Sequence, residues 1–502
     1  MKYELFKPSS EFWKPHSYQK KAVKFLLEHA ACALFLDPGL GKTSITLGAI
    51  KVLKKNKIAK KVLIIAPLRV CYLVWPKELE KWKDFKDLKA VVLHGPKKED
   101  LLTQEADVYV INPEGLDWLL DVKKVKTIGR DGRERAKISV DLRRFRKLGF
   151  DTLVIDELSK FKHVNTNRFK ALKLVLSTFS RRWGLTGSPA SNGLIDLFGQ
   201  CYIIDEGRTL GEYITQYRSK YFIQSYNGFG WNIRKGAEAE IYERIAPLVL
   251  RMAANDYLDM PQLIENNIII ELPDKIKTIY NNLEDDLFAK LDSNIITAAT
   301  AGAASIKCRQ VANGGIYLNQ EVLALVKLPK SQREWVNLHT EKVDALADLI
   351  EELQGEPLLV AYDFEHDLDR LKTKLGKDIA YIGSGVSMDK SKSIEKDWNS
   401  GKIPVLLAHP QSIAHGLNLQ EVGRNVCWHS MTWDYELYDQ FIRRVSRQGN
   451  KHKKVFNHHI IAKDTVDETM LYSLRNKAGG QNAFFDALKV LNKLKINAKR
   501  RK

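Results

Sequence analysis

Short runs of Val, Ile and Leu recur along this chain at intervals that leave room for one amphipathic helix between each pair. In the first third they read CALFL, KVLIIAP, AVVLHG, VYVIN and TLVIDE. Continuous rather than alternating apolar runs predict strands covered on both faces. Stretches between them, such as WPKELEKW over Trp75–Trp82, predict the covering helices. The first lobe is therefore expected to be α/β. A comparable series returns between 357 and 429 as PLLVAYD, DIAYIG, VLLAHP and NVCWH, and predicts a second α/β lobe.

From about 195 to 335 the pattern turns helical and mixed, with few strong strand runs and a Gly/Asn-rich patch over 226–232. This predicts a mostly helical insertion or linker between the lobes. Another insertion, about 121–148, interrupts the first lobe ahead of TLVIDE and carries VKKVKTIGRDGRERAK and DLRRFRK. Its Asp131-Gly132 pair predicts a tight turn closing a basic hairpin. The expected division is 1–194, 195–335, 336–480 and a basic helical tail over 481–502. There is no solenoid-type repeat.

Composition adds a partner. The 502 residues are 44% hydrophobic, enough for more than one core, and carry 80 Lys and Arg against 61 acidic residues, a net charge of +19. A polyanion, best a nucleic acid, fits that excess. Five cysteines stand singly with no CxxC pair, which predicts reduced core residues rather than metal ligands. The N-terminus lacks a signal-peptide layout and no apolar run reaches the length of a membrane span, so no membrane partner is expected. The expected location is the cytoplasm, that of the host for a viral protein, or the nucleus in a eukaryote.

Two segments carry phosphate chemistry. ALFLDPGLGKT, residues 33–43, breaks from a strand into a glycine-rich turn, with Gly39 and Gly41 freeing backbone N–H groups for phosphate oxygens. Lys42 supplies a charge for the β and γ phosphates, and the Thr43 hydroxyl is suited to ligate Mg²⁺. Leu36 occupies the position where the stricter pattern has glycine, so the match is to the shorter GLGKT core. LVIDELSKFKH, residues 153–163, then ends a strand in Asp156-Glu157. Carboxylates at that edge suit Mg²⁺ binding by Asp156 and water positioning or deprotonation by Glu157.

In company these motifs resemble the superfamily-two helicases and translocases, within them the Swi/Snf-like branch of duplex-DNA translocases. The resemblance runs in order along nearly the whole chain. HSYQKKAVKFL precedes the glycine-rich turn and implies an adenine role for Tyr18 and Gln19. IIAPLRVCYLVWPKELEKW resembles motif Ia, implying a DNA-backbone turn at Pro67, Leu68 and Arg69, with Trp75 and Trp82 as helix core. INPEGL stands at motif Ib and includes Asn112, though without the usual Thr. WGLTGSPASNGLIDLFG resembles motif III through Thr186-Gly187-Ser188-Pro189.

In the second lobe LLVAYDFEHDLDRL, with Tyr362, resembles motif IV, and YIGSGVSMDKSKSIEKDWNSG its companion. PQSIAHGLNLQ, with Ser412 and Gly416, resembles motif V; His415 beside them is read as a loop residue. WDYELYDQFIRRVSRQGN resembles motif VI, with Gln440 as a nucleotide contact and Arg444 and Arg447 as the pair that holds γ-phosphate oxygens. Three residues apart, those arginines are expected on one helical face, with Arg443 as a solvated charge. Asn450 replaces the usual Gln, and the insertion signature survives as KCRQVANGG over 307–315.

The resemblance implies two RecA-like parallel-sheet lobes with helical insertions, ATP and Mg²⁺ as cofactors, and DNA as partner. Duplex is favoured; branched or single-stranded DNA stays open, and protein partners are not specified. Lys42, Asp156, Glu157, Arg444 and Arg447 would form the catalytic set of a DNA-dependent ATPase that drives movement on DNA. With no accessory module recognisable, a compact bacterial or viral motor is expected. A DNA-binding scaffold without turnover, or a motor subunit active only within a larger assembly, are the alternatives.

Overall fold

The computed structural model describes residues 12–128, 134–224, 231–292, 298–318, 335–413 and 416–479. Contacts divide the chain into two units, one running through Leu258 and one over Asp259–Gly479. Both are parallel sheets covered by helices, as the doubled series of apolar runs predicts.

The first unit holds a seven-stranded sheet in the spatial order Val249–Met252, Ala31–Leu36, Arg181–Thr186, Thr152–Asp156, Val62–Ile65, Val108–Ile111, Ala90–Val92. Every pairing in it is parallel. Its central strands are buried throughout, which is why they read as unbroken apolar runs. Register brings strand ends together: Phe35 lies opposite Thr186, and Asp156 opposite Leu185. One edge thus collects Leu36, Asp156 and Thr186, and ligands of open α/β sheets bind at such C-terminal edges.

The basic insertion forms an antiparallel pair, Lys123–Ile128 with Glu134–Ser139, while the Asp131-Gly132 turn lies outside the described residues. Asp141 caps the following helix, Leu142–Lys147, by accepting from the Arg144 N–H. Phe145 on that helix is buried in the main core and anchors the insertion, whereas Lys124, Lys126 and Lys137 are exposed.

The stretch 195–335 is shared between the units. Helices Leu197–Asp205, Ile214–Tyr221 and Ala237–Ile245 pack into the first core, and Val249–Met252 extends the first sheet. Strand Gln262–Ile270 and helices Asp274–Asp292 and Ala298–Asn313 belong to the second unit. Both strands are edge strands whose apolar runs are broken, one by Arg251 and the other by Glu265-Asn266-Asn267.

The second unit orders six parallel strands as Gln262–Ile270, Lys454–Ala462, Asn425–Trp428, Leu358–Ala361, Val405–Ala408, Ala380–Ile382. Apolar clusters cover both faces, one around Trp398 and Trp428, the other around Leu346, Val360 and Leu371. All five cysteines are buried and free. Among the described residues no helix is long and apolar enough to cross a membrane.

Candidate functional site

Strand Ala31–Leu36 runs into a loop that ends where helix Lys42–Lys55 begins. Leu36 is fully buried and pairs with Met252, so this position serves the core and not the loop. The turn is made by Gly39 and Gly41, at φ of 92° and 78°, a region that L side chains seldom enter. A Cβ at Gly41 would stand 2.5 Å from Gln19 Nε2 and push that side chain away from the loop. Lys42 Nζ donates to the Leu36 carbonyl at 2.8 Å and reaches the Asp37 carbonyl at 3.5 Å. Burial lowers its pKa, while Glu157, Asp156 and Asp37 pull the other way. A cation held mainly by backbone carbonyls can exchange them for phosphate oxygens. Thr43, the second helical residue, is half-buried beside it.

Asp156 is the last residue of its strand and accepts from Trp75 Nε1 at 3.0 Å. Its pKa is pushed up to about 6, first by burial and then by the charge of Glu157; Lys42 and the Trp75 hydrogen bond only partly offset this. Glu157 adopts a left-handed backbone, φ 68° and ψ 62°. For a non-glycine residue that costs on the order of 1 kcal/mol, and such strain collects at functional sites. The turn presents its carboxylate to two hydroxyls, Thr186 Oγ1 at 3.1 Å and Ser159 Oγ at 3.0 Å. Thr186 Oγ1 also accepts from the Ser188 N–H at 3.1 Å, so the Thr-Gly-Ser-Pro loop is tied to the acidic pair.

Asp37 forms an ion pair with Arg251 at 2.7 Å and accepts from the Ala254 N–H at 3.0 Å. This fastens the 251–254 segment to the glycine-rich loop. Sequence reasoning misses the pair, and its one signal is a charge inside an apolar run. Trp75 is core, as expected, and also a partner of the acidic pair: it is fully buried, and a buried indole N–H needs an acceptor, here Asp156.

Gln19 lies against the same loop, donating to the Leu40 carbonyl at 3.3 Å and accepting from the His16 N–H at 2.9 Å. Tyr18 is only 4% exposed. His16 stacks at 5.4 Å and Tyr257 lies at 4.8 Å from its ring.

The residues expected to meet nucleic acid differ in what they offer. Pro67 sits at the N-cap of helix Leu68–Leu73 and Arg69 is half-buried, with Nη1 buried and unpartnered among the described residues. Asn112 is buried and donates to Glu114 at 2.8 Å, and Ser188 is buried beside Thr186. In the second unit Tyr362 is buried, with its hydroxyl where a Cβ on Gly383 would stand, and Ser412 is half-buried.

The arginine pair is arranged differently from the helical face expected of it. Helix Tyr435–Ile442 ends before either residue, and the chain turns so that Val445 is fully buried. Backbone bonds from Arg444 to Phe441 and from Val445 and Ser446 to Ile442 tighten that turn. Arg444 and Arg447 meet instead on the Gly416-Leu417-Asn418-Leu419 loop. Arg444 Nη1 donates to the Leu417 carbonyl at 3.0 Å, its Nε to the Gln440 carbonyl at 3.1 Å, and Arg447 Nη1 to Asn418 Oδ1. Gly416 enters the loop at φ 85°, and His415 lies outside the described residues. Gln440 is buried and donates to Glu436 at 3.3 Å. Asn450 ties the turn by donating to the carbonyls of Gly423 at 2.8 Å and Val445 at 2.9 Å. Arg443 pairs with Asp439 at 2.8 Å, as a charge on the preceding helix turn would.

Comparison with known proteins identifies the family. Residues 18–338 match the SNF2-related domain and residues 341–449 the helicase conserved C-terminal domain. The p41 protein of Acyrthosiphon pisum secondary endosymbiont phage 1 is 32% identical over 496 residues, covering 95% of this chain and 98% of its own. The Homo sapiens DNA annealing helicase and endonuclease ZRANB3 is 22% identical over 92% of this chain, which spans 39% of that protein. The Sulfolobus solfataricus SWI2/SNF2 ATPase core in complex with dsDNA aligns over 96% of this chain and 97% of its own, at 20% identity and a TM-score of 0.41. With the SNF2-related match over residues 18–338 and a 32%-identical relative along almost the full length of both chains, this protein belongs to the SNF2-related family of helicase-like ATPases.

Proposed function

We propose that this protein is a DNA-dependent ATPase that uses ATP hydrolysis to move along duplex DNA. The observation that carries the reading is the gathering of Lys42, Asp156, Glu157 and Thr186 at one sheet edge, with Glu157 hydrogen-bonded to the Thr186 hydroxyl. Lys42 would exchange its carbonyl partners for the β and γ phosphates. Glu157, aimed by Thr186 and Ser159, would orient the attacking water. Mg²⁺ fits the oxygen donors of Thr43 and Asp156, since an under-matched carboxylate is the one a cation would draw into its charged form. When bound, it would neutralise charge on the phosphates.

Arg444 and Arg447 would stabilise charge on the transferring phosphate. Their shared loop offers a physical route to DNA-dependent turnover, because any shift of that loop moves both guanidiniums. A net charge of +19 and the exposed lysines of the hairpin support a phosphate-backbone partner read without sequence preference. The names of relatives such as the DNA annealing helicase point to DNA over RNA. The phage relative supports the cytoplasm of a host cell as the working compartment.

ATPase rates with duplex, single-stranded and forked DNA and with RNA, beside a triplex-displacement assay, test the proposal. Strong stimulation by blunt duplex together with triplex displacement is expected. Stimulation by RNA alone, or turnover indifferent to nucleic acid, would overturn it.

A further inference from the structure

Tyr18 is expected to touch the base, yet its ring is enclosed. His16 stacks on it with ring planes 8° apart, and Tyr257 packs against it with centroids 4.8 Å apart and ring planes tilted by 33°. That separation leaves no room for a base between Tyr18 and Tyr257. Tyr257 itself is 42% exposed.

Three contacts hold the segment bearing Tyr257 against that loop. Arg251 pairs with Asp37 at 2.7 Å, the Ala254 N–H donates to Asp37 Oδ2 at 3.0 Å, and Leu258 Cδ1 lies 3.9 Å from where a Cβ on Gly39 would stand. From the opposite side Gln19 touches the loop through Leu40. Tyr257 is therefore an exposed aromatic backed by a rigid buried one, on a segment clamped to the phosphate loop at residues before and after it.

On the basis of the ATPase reading above, we propose that Tyr257 is the stacking surface for the nucleotide base, with Tyr18 as its backing and Gln19 at the base edge. The segment bearing Tyr257 is fastened through Asp37 to the loop that would hold the phosphates, which puts it within a nucleotide's reach of them. An aromatic face stacks on any base, so this residue would add nucleotide affinity rather than base choice. The residue positions substrate and takes no part in bond breaking.

The test is steady-state ATPase kinetics of the full chain with saturating duplex DNA, with inorganic tripolyphosphate as a competitor that has no base. Tyr257→Ala is expected to raise the KM for ATP roughly five- to tenfold while kcat stays within about twofold. The inhibition constant of tripolyphosphate should not move, and Tyr257→Phe should restore the KM. Tyr257→Leu keeps Tyr18 covered and should still raise the KM, which guards against loss of folding in the alanine variant. Unchanged KM in both variants, an equal loss of tripolyphosphate affinity, or a rise produced by His16→Ala instead would overturn the assignment. A wild-type protein that does not turn over ATP would sink the ATPase reading, an outcome distinct from all of these.

Discussion

Asp156 in the first unit, at the end of a buried parallel strand, and Asp367 in the second, in the helix that follows one, are both carboxylates largely removed from water, yet their surroundings push them in opposite directions. Burial raises Asp156, Glu157 raises it further, and it settles at about 6. Burial also raises Asp367, but His366, His429 and Ser430 overrule it and hold the carboxyl well below the usual range. Asp367 accepts from Ser430 Oγ at 2.7 Å, Asn313 Nδ2 at 3.1 Å and the Phe364 N–H at 3.1 Å. Beside it Lys342 pairs with Asp467 at 2.6 Å and donates to Asn313 at 2.9 Å.

The difference lies in which partners each ion meets. In the second unit three donors converge on one oxygen of Asp367 and Lys342 pairs with Asp467, and the network locks the end of helix Ala298–Asn313 to the strand ends of its sheet. In the first, Lys42, Asp156 and Glu157 are near neighbours whose charges are only partly matched. Incomplete matching is what a site reserved for a charged ligand requires.

The largest effect should separate the clusters outright. Lys42→Ala is expected to lower ATP turnover by about a thousandfold or more, with a thermal midpoint equal to or above wild type. Retained turnover would break the comparison on its functional side. Lys342→Met, by contrast, leaves Asp467 buried without its cation and should cost about 3–5 kcal/mol in urea unfolding. A loss under about 1 kcal/mol would mean that the second cluster is not the scaffold described.

Asp156→Asn sharpens the contrast through pH. A carboxylate whose folded pKa is raised binds more protons folded than unfolded, so its ionisation weakens folding as pH rises from about 4 to about 6 and by a constant amount above. The variant should therefore be more stable than wild type by about 1–2 kcal/mol at pH 7.5, lose that advantage near pH 4, and have no ATPase activity. Calorimetry across that range checks the sign. Asp367 behaves inversely: its stabilisation is present at neutral pH and is lost in acid as pH falls through its depressed pKa.

The smallest effect concerns exposed lysines of the basic hairpin. Changing Lys124, Lys126 and Lys137 together to Gln should leave stability within about 0.5 kcal/mol and reduce the salt dependence of DNA binding by about one unit of slope for each phosphate no longer neutralised. Fluorescence anisotropy against salt measures it, and an unchanged slope would remove the hairpin from the DNA-binding surface.

Much of this is legible along the chain because continuous apolar runs, a glycine-rich turn and a terminal Asp-Glu pair are local patterns. Both parallel sheets follow from them. What escapes depends on partners far away in sequence. Arg251 reads as an interruption and is a strand residue neutralised by Asp37, 214 positions earlier. QLIENNIII reads as too polar for a strand because an edge position leaves part of it exposed. Spacing alone puts the arginines on a helix, but the helix ends at Ile442 and both side chains turn to the Gly416–Leu419 loop.

By itself the sequence determined the two sheets, the phosphate turn, the acidic pair and the order of motifs, since each is encoded by residues adjacent or one helical turn apart. Tertiary structure alone decided which partners each buried charge meets. How readily Asp156 and Asp367 hold their charge depends on what crosses to them from other strands and helices, Trp75 in one case, Asn313 and Ser430 in the other. Desolvation and neighbouring charge act through space, and no local pattern fixes them.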